Sequence, residues 1–181
     1  MRCRNLRSVI FPDCLQFFDT EIFVNTSLES FKIPRNLERT GSRSFTNLTT
    51  LRKVDFSDAT SIWLIYPECF SGCTAIAELD LRKCVSLYRI GSSSFFGCTN
   101  LTTIYLPLQA SSLQIDENSF SNCINLSKII LVKPGLIKLN IIAFNGCSNL
   151  TGYFGIIKTC KQMMSLRLFQ NIFPMILLVD S

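Results

Sequence analysis

The sequence predicts an α/β repeat solenoid, with a parallel sheet along one side and short helical turns or loops along the other. Three observations carry that expectation. Phenylalanine recurs at Phe45, Phe70, Phe95, Phe120 and Phe144, at intervals of 25, 25, 25 and 24 residues. Aliphatic residues hold fixed offsets from each of these rings. One short segment per repeat alternates apolar and polar residues with the period of a strand. A fixed period in this range marks a stack of coils, each touching only its neighbours.

The offsets assign each element in turn. Six residues after each phenylalanine stand Leu51, Ile76, Leu101, Leu126 and Leu150, and nine after stand Val54, Leu79, Ile104, Ile129 and Tyr153. Eleven after come Phe56, Leu81, Leu106 and Leu131, until the pattern breaks at Gly155. The segment LTTIYLP, 101–107, therefore reads as a strand with Ile104 and Leu106 inward. Pro107, lacking an N–H, suits its exit. Five before the ring come Ile65, Ile90, Ile115 and Leu139, with Thr40 the exception. Small residues precede the ring directly (Ser44, Cys69, Ser94, Ser119, Ala143), which implies close backbone packing.

Two residues after the ring stand Asn47, Gly72, Gly97, Asn122 and Gly146. Glycine and asparagine best tolerate a left-handed backbone, so this column is expected to be a turn that ends a short helical turn. A β-branched side chain there, as in Gly97→Val, is expected to destabilise.

Weaker matches extend the array. Ile22, Asn25, Leu28, Phe31 and Ile33 fill the same columns upstream, and Cys3, Leu6, Val9 and Phe11 form a partial coil. Downstream, Phe169, Ile172, Met175 and Leu178 fit, beyond a poorly matched stretch at 158–167. The expected organisation is one solenoid over 1–157, best matched over 40–155, with 158–181 a degenerate repeat or cap. That makes about six to seven coils.

Composition narrows the function. Of 181 residues, 48% are hydrophobic and 17% charged, too apolar for disorder. The net charge is +5, but the cations are scattered, and their densest group, Arg35, Arg39 and Arg43, includes Glu38. Nucleic-acid binding needs a basic face, so no nucleic-acid partner is expected. The absence of histidine removes Ser–His and Cys–His dyads and every His-ligated zinc site. No enzymatic activity and no cofactor are expected. Arginines at 2, 4 and 7 precede an apolar stretch broken by Pro12 and Asp13, so no leader is readable. The apolar tail falls short of the ~20 residues that a bilayer span needs. The compartment is left open.

The segment IGSSSFFGCTNLTTIYLP, 90–107, resembles the BspA-like class of leucine-rich repeats, found in surface proteins of anaerobic protists and bacteria. The likeness holds well from about Ser44 to Tyr153. It implies a right-handed horseshoe or solenoid with a sheet on one side, and an adhesive or host-interacting role. Against that pattern the sequence lacks a readable leader, an N-terminal cap and an anchor. The expected function is non-enzymatic binding of a protein or glycan at the cell surface. The alternatives are an intracellular scaffold using the same face, or a truncated member without function.

Cys73, Cys98, Cys123 and Cys147 share the column three after the ring, as does Cys3, while Leu48 and Ile172 fill it elsewhere. An apolar column reads as buried, inert thiols. Parallel Cβ vectors suit a disulfide poorly, and no C-x-x-C pair offers a zinc site. Cys14, Cys84 and Cys160 take no assigned role. Sequons occur at Asn25, Asn47, Asn100, Asn125 and Asn149, but the last three are built into the repeat, so they do not establish secretion. Asn47 falls in the left-handed column and Asn25 in the cysteine column.

Strand residues facing away from the core are the binding candidates, in two columns. One holds Lys53, Glu78, Thr103 and Lys128; the other holds Lys32, Asp55, Asp80, Tyr105, Ile130 and Phe154, with Ile10 before them. Tyr105, Ile130 and Phe154, ~4.8 Å apart on adjacent strands, would make an exposed apolar ribbon. That ribbon is either an interaction site or a surface covered by the C-terminal tail. Asp55 and Asp80 place like charges on neighbouring strands beside Glu78. Either Lys53 and Arg82 neutralise them, or they meet a basic partner.

Overall fold

The computed structural model describes residues 3–108, 112–130, 136–140 and 142–150. Short parallel strands run in the order β1 (Ser30–Lys32), β2 (Lys53–Asp55), β3 (Leu64–Ile65), β4 (Glu78–Asp80), β5 (Arg89–Ile90), β6 (Thr103–Tyr105), β7 (Ser112–Ile115), β8 (Lys128–Ile130) and β9 (Leu136–Leu139). From β2 onward they alternate between two sides of the solenoid. The segments L-x-x-I-x-L supply β1, β2, β4, β6 and β8, pairing as β1–β2 and β4–β6–β8. The column five before the ring supplies a second side, β3–β5–β7–β9, continued toward the N-terminus by parallel bridges Phe17–Arg39–Leu64. At the exception in this column, the Thr40 hydroxyl accepts the Tyr66 N–H at 2.9 Å.

The third side corrects the α/β expectation. No helix occurs among the described residues. The aromatic sits between two left-handed residues: Asn47, Gly72, Gly97, Asn122 and Gly146 follow it at φ 59–76°, and Arg43, Glu68, Ser93 and Asn118 precede it at φ 53–56°. Three residues between two such reversals are too few for a helical turn of 3.6. The amides go instead to the next coil, as from Phe45 to the Cys69 carbonyl (2.8 Å), Phe70 to Ser94 (2.7 Å) and Phe95 to Ser119 (2.8 Å). The small residues whose carbonyls accept these bonds are fully buried, as close packing requires.

The rings form the spine. Phe45, Phe70, Phe95, Phe120 and Phe144 stack face to face at 4.8–5.2 Å with interplanar angles of 3–12°. One coil earlier the ring is Phe23, which stacks on Phe45 at 4.7 Å, and not the neighbouring Ile22, which is 39% exposed. This one-residue correction moves Asn25 out of the cysteine column and into the left-handed one, at φ 62°. It follows from the chain's being one residue shorter between Asn25 and Leu28. Beyond Phe23 the stacking gives way to edge-on packing. Phe11 and Phe18 lie 5.5 Å apart against Phe23 and Phe31, covering the end of the spine where no cap was expected. Cys3, assigned to the buried column, is exposed in this partial coil.

Cys73, Cys98, Cys123 and Cys147 are buried and unpaired. Each lends its S–H to the carbonyl of the phenylalanine one coil back, at 2.9, 3.3, 3.2 and 3.1 Å. That bond is a reason for cysteine rather than leucine in an apolar column. Burial pushes the Cys73 thiol up to about 12, and Cys69 and Cys84 likewise. A thiol held protonated at neutral pH is a poor nucleophile. Cys160 and the coil beginning near Phe169 lie outside the described residues.

Candidate binding site

The period of two along each strand points alternate side chains outward, and the pairing sets them in line. Ser30 pairs with Lys53, and Lys32 with Asp55. Glu78 pairs with Thr103 and Thr103 with Lys128, while Asp80, Tyr105 and Ile130 form the companion row. The two predicted columns therefore exist across β1–β2 and across β4–β6–β8. Phe154 lies outside the described residues.

Between β2 and β4 the ladder stops. Ile33, Leu81 and Leu106 each donate an N–H to the following coil, to Asp55, Tyr105 and Ile130, all at 2.9 Å. Phe56, the equivalent residue, makes no such bond among the described residues. Nor does Ala77 donate backward, as Arg52, Thr102 and Ser127 do to Glu29, Ala77 and Thr102. Two features of the sequence oppose closure here. Phe56 puts an aromatic ring where Ile33, Leu81 and Leu106 stand in other coils, and it packs against Phe70 at 6.4 Å. Asp55 and Asp80 add like charges on the two facing strands, while Lys53 stands in the column of Glu78.

A cleft of about 750 Å³ opens at this break, lined by Arg52, Lys53, Asp55 and Phe56 on one bank and Glu78, Asp80, Arg82 and Lys83 on the other. Four of these are among the predicted face residues. Arg52, Phe56, Arg82 and Lys83 were not, because they stand outside the outward strand columns.

The charges are settled mostly within the chain. Arg82 grips Asp80 with two bonds, Nη2 to Oδ2 at 2.6 Å and Nε to Oδ1 at 2.9 Å. The Arg82 side chain holds the Asp80 carboxyl below its ordinary range, against partial burial. Burial pushes Asp55 up, but bonds from Ser57 and the fields of Lys53 and Lys32 outweigh it and leave the carboxyl lowered. Lys32 itself pairs with Asp58 at 2.7 Å. Of the two expected neutralisers, Arg82 makes an ion pair and Lys53 acts only through its field. Glu78 and Lys128 are exposed, and neither forms an ion pair among the described residues.

The expected apolar ribbon is less open than the register implied. Tyr105 and Ile130 are adjacent but half-buried, and the Arg82 guanidinium lies 4.5 Å over the Tyr105 ring. Large apolar side chains stand more exposed on the second sheet's flank, at Phe17 (57%) and Tyr88 (45%). There Trp63 and Tyr88 stack at 5.6 Å and 15°. This pair sits seven residues before Phe70 and Phe95, a spacing visible in the sequence once the second sheet is known.

The family model described as "BspA type Leucine rich repeat region" matches in six copies, over residues 1–85 and 63–172. Among solved structures, the leucine-rich repeat protein of T. pallidum superposes with a TM-score of 0.57 at 19% identity, covering 89% of this chain and 82% of that one. A leucine-rich repeat protein from Bacteroides ovatus gives 0.43 at 22% identity, with 80% of this chain and 53% of that one aligned. No curated protein matches the sequence. The matches to the family model span most of the described coils, and the chain belongs to the BspA-type leucine-rich repeat family.

Proposed function

We propose that this protein is a non-enzymatic binding module of the adhesion type, engaging a protein ligand through the face formed by β1, β2, β4, β6 and β8. The break between β2 and β4 is the observation that carries the reading. It turns an otherwise flat face into a cleft with charged banks, lined also by Val54, Phe56, Ala77 and Leu108. Concave, partly apolar sites with a few placed charges are where ligands bind. Glu78 and Lys53 supply free charges at its rim. The Arg82–Tyr105 pair, fixed by Asp80, supplies the arginine and aromatic chemistry that dominates interface energetics. Membership of a binding-repeat family supports the same reading, and an exposed ladder of side chains on rigid strands suits it.

The test is to probe arrays of extracellular-matrix and host proteins with the purified full chain, then repeat with Glu78→Gln/Tyr105→Ala. The ligand found is expected to lose at least about tenfold in affinity, the scale of one hot-spot residue, with the melting temperature unchanged. Undiminished affinity in the double variant would refute the site.

A further inference from the structure

The outward column of the second sheet has a periodicity that the binding face lacks. Paired in register, it reads Arg39, Leu64, Arg89, Gln114, Lys138. A cation thus stands at every second coil, with a neutral residue between. Parallel strands lie ~4.8 Å apart, so these basic groups recur at ~9.6 Å, the middle one, Arg89, already ion-paired with Asp116. The residues just before Leu64 and Arg89 add the part-exposed Trp63–Tyr88 stack.

The two guanidinium groups are held in place. Arg39 lies 5.3 Å over the Phe17 ring and makes no ion pair among the described residues. Arg89 gives its Nε to Asp116 at 2.8 Å, and Gln114 bonds the other oxygen of that carboxylate at 2.8 Å. Asp116 is buried and its two oxygens are thereby engaged, while the terminal nitrogens of Arg89 make no hydrogen bond among the described residues. Lys138 is exposed. Glu38, in the adjacent column, is the exposed acid nearest in sequence to Arg39.

We infer that this flank binds an extended acidic polysaccharide carrying a carboxylate on alternate sugars. A two-coil step is close to the length of one disaccharide in an extended β-linked chain, so successive carboxylates would meet Arg39, Arg89 and Lys138. The intervening neutral sugars would lie over the half-buried Gln114 and over the aromatic pair that flanks the buried Leu64, with C–H faces against Tyr88 and the part-exposed Trp63. Planar guanidinium groups suit carboxylates because they offer paired N–H donors. An extended peptide fits less well. Its side chains alternate every ~3.3 Å, so residues near a ~9.9 Å step point to opposite sides.

The site is separate from the β2–β4 cleft, and the test keeps the two apart. Full-length protein is titrated calorimetrically with a hyaluronan decasaccharide, which alternates glucuronate and N-acetylglucosamine. Comparison ligands are a neutral chitin oligomer and an oligogalacturonate with acid on every sugar. Hyaluronan is expected to bind most tightly. Arg39→Gln and Lys138→Gln should each weaken it about two- to fivefold, the scale of an exposed charge pair, and Trp63→Ala by roughly two- to tenfold. Tyr105→Ala should leave it unchanged. Arg39 and Lys138 contribute no buried side chain, so these variants report on binding even if Trp63→Ala perturbs folding. The inference is overturned if hyaluronan does not bind or if oligogalacturonate binds as tightly. It is also overturned if Arg39→Gln/Lys138→Gln has no effect, or if Tyr105→Ala abolishes binding.

Discussion

Replacing Phe95 with alanine is expected to lower stability by about 3–5 kcal/mol, the range for deleting a buried aromatic side chain. The ring is wholly buried and stacked on both faces, against Phe70 and Phe120, each at 5.2 Å. Its loss removes apolar burial, two aromatic contacts and the filling of a space that parallel coils cannot easily collapse. The effect should also be structural. In a stack where each coil touches only its neighbours, a defect at the centre uncouples the two ends, so the unfolding transition should broaden or split. The internal control is the next residue: Phe96 is 38% exposed, and Phe96→Ala should change stability by no more than about 0.5 kcal/mol. Urea melts of both variants followed by circular dichroism measure the difference. Equal costs at the two positions would contradict the spine.

The second large effect is expected at Gly72. Valine at Gly97 meets only backbone strain, because that glycine has φ +67° and open space where a Cβ would go. Forcing a β-branched residue into such a conformation costs about 1–3 kcal/mol. Gly72 has the same strain at φ +70°, and a Cβ there would also run into the side-chain oxygen of Asn47 one coil before. Gly146 is placed in the same way against Asn122. Gly72→Val should therefore cost more than Gly97→Val by the modest amount needed to turn the Asn47 amide aside. Adding Asn47→Gly should bring the two costs together, since glycine accepts the left-handed φ of 59° at that position. A double-mutant cycle should show coupling within the ~0.5–3 kcal/mol seen for residues in contact. Strict additivity of Asn47→Gly and Gly72→Val would mean that the two side-chain positions do not meet.

What the sequence revealed was the part governed by side-chain volume. Phe45 to Phe144, the cysteine column and the strand alternation are each a demand for apolar bulk at a fixed step, so they were readable from spacing. The left-handed turn after the ring was readable because Gly and Asn are the residues that tolerate it. Its partner before the ring was not, because Arg43, Glu68 and Ser93 carry no steric signature for positive φ, and Asn118 alone makes no column. That hidden reversal is what excludes a helix. The second sheet was masked for a related reason: β3 and β5 are two residues long, too short to display alternation. A single deletion was enough to shift Ile22 into the place of Phe23.

At the candidate site, the outward columns followed from the period of two, whereas the cleft did not. Its origin lies in backbone bonds that fail to form between β2 and β4. The sequence marked the place only indirectly, through Phe56 in an aliphatic column and Asp55 and Asp80 on facing strands. The same limit applied to Arg82. Its charge was legible as a neutraliser of Asp80, but its position over the Tyr105 ring depends on how far it reaches across to the next strand.

The break between β2 and β4 underlies the functional reading, and amide hydrogen exchange tests it residue by residue. The N–H groups of Ile33, Leu81 and Leu106 are bonded to the next coil, and those of Arg52, Thr102 and Ser127 to the one before. Their counterparts at the break, Phe56 and Ala77, are expected to exchange about tenfold faster or more, the scale of one hydrogen bond. Protection at Phe56 and Ala77 equal to that at Leu81 and Thr102 would mean that the sheet is continuous and that no cleft exists there.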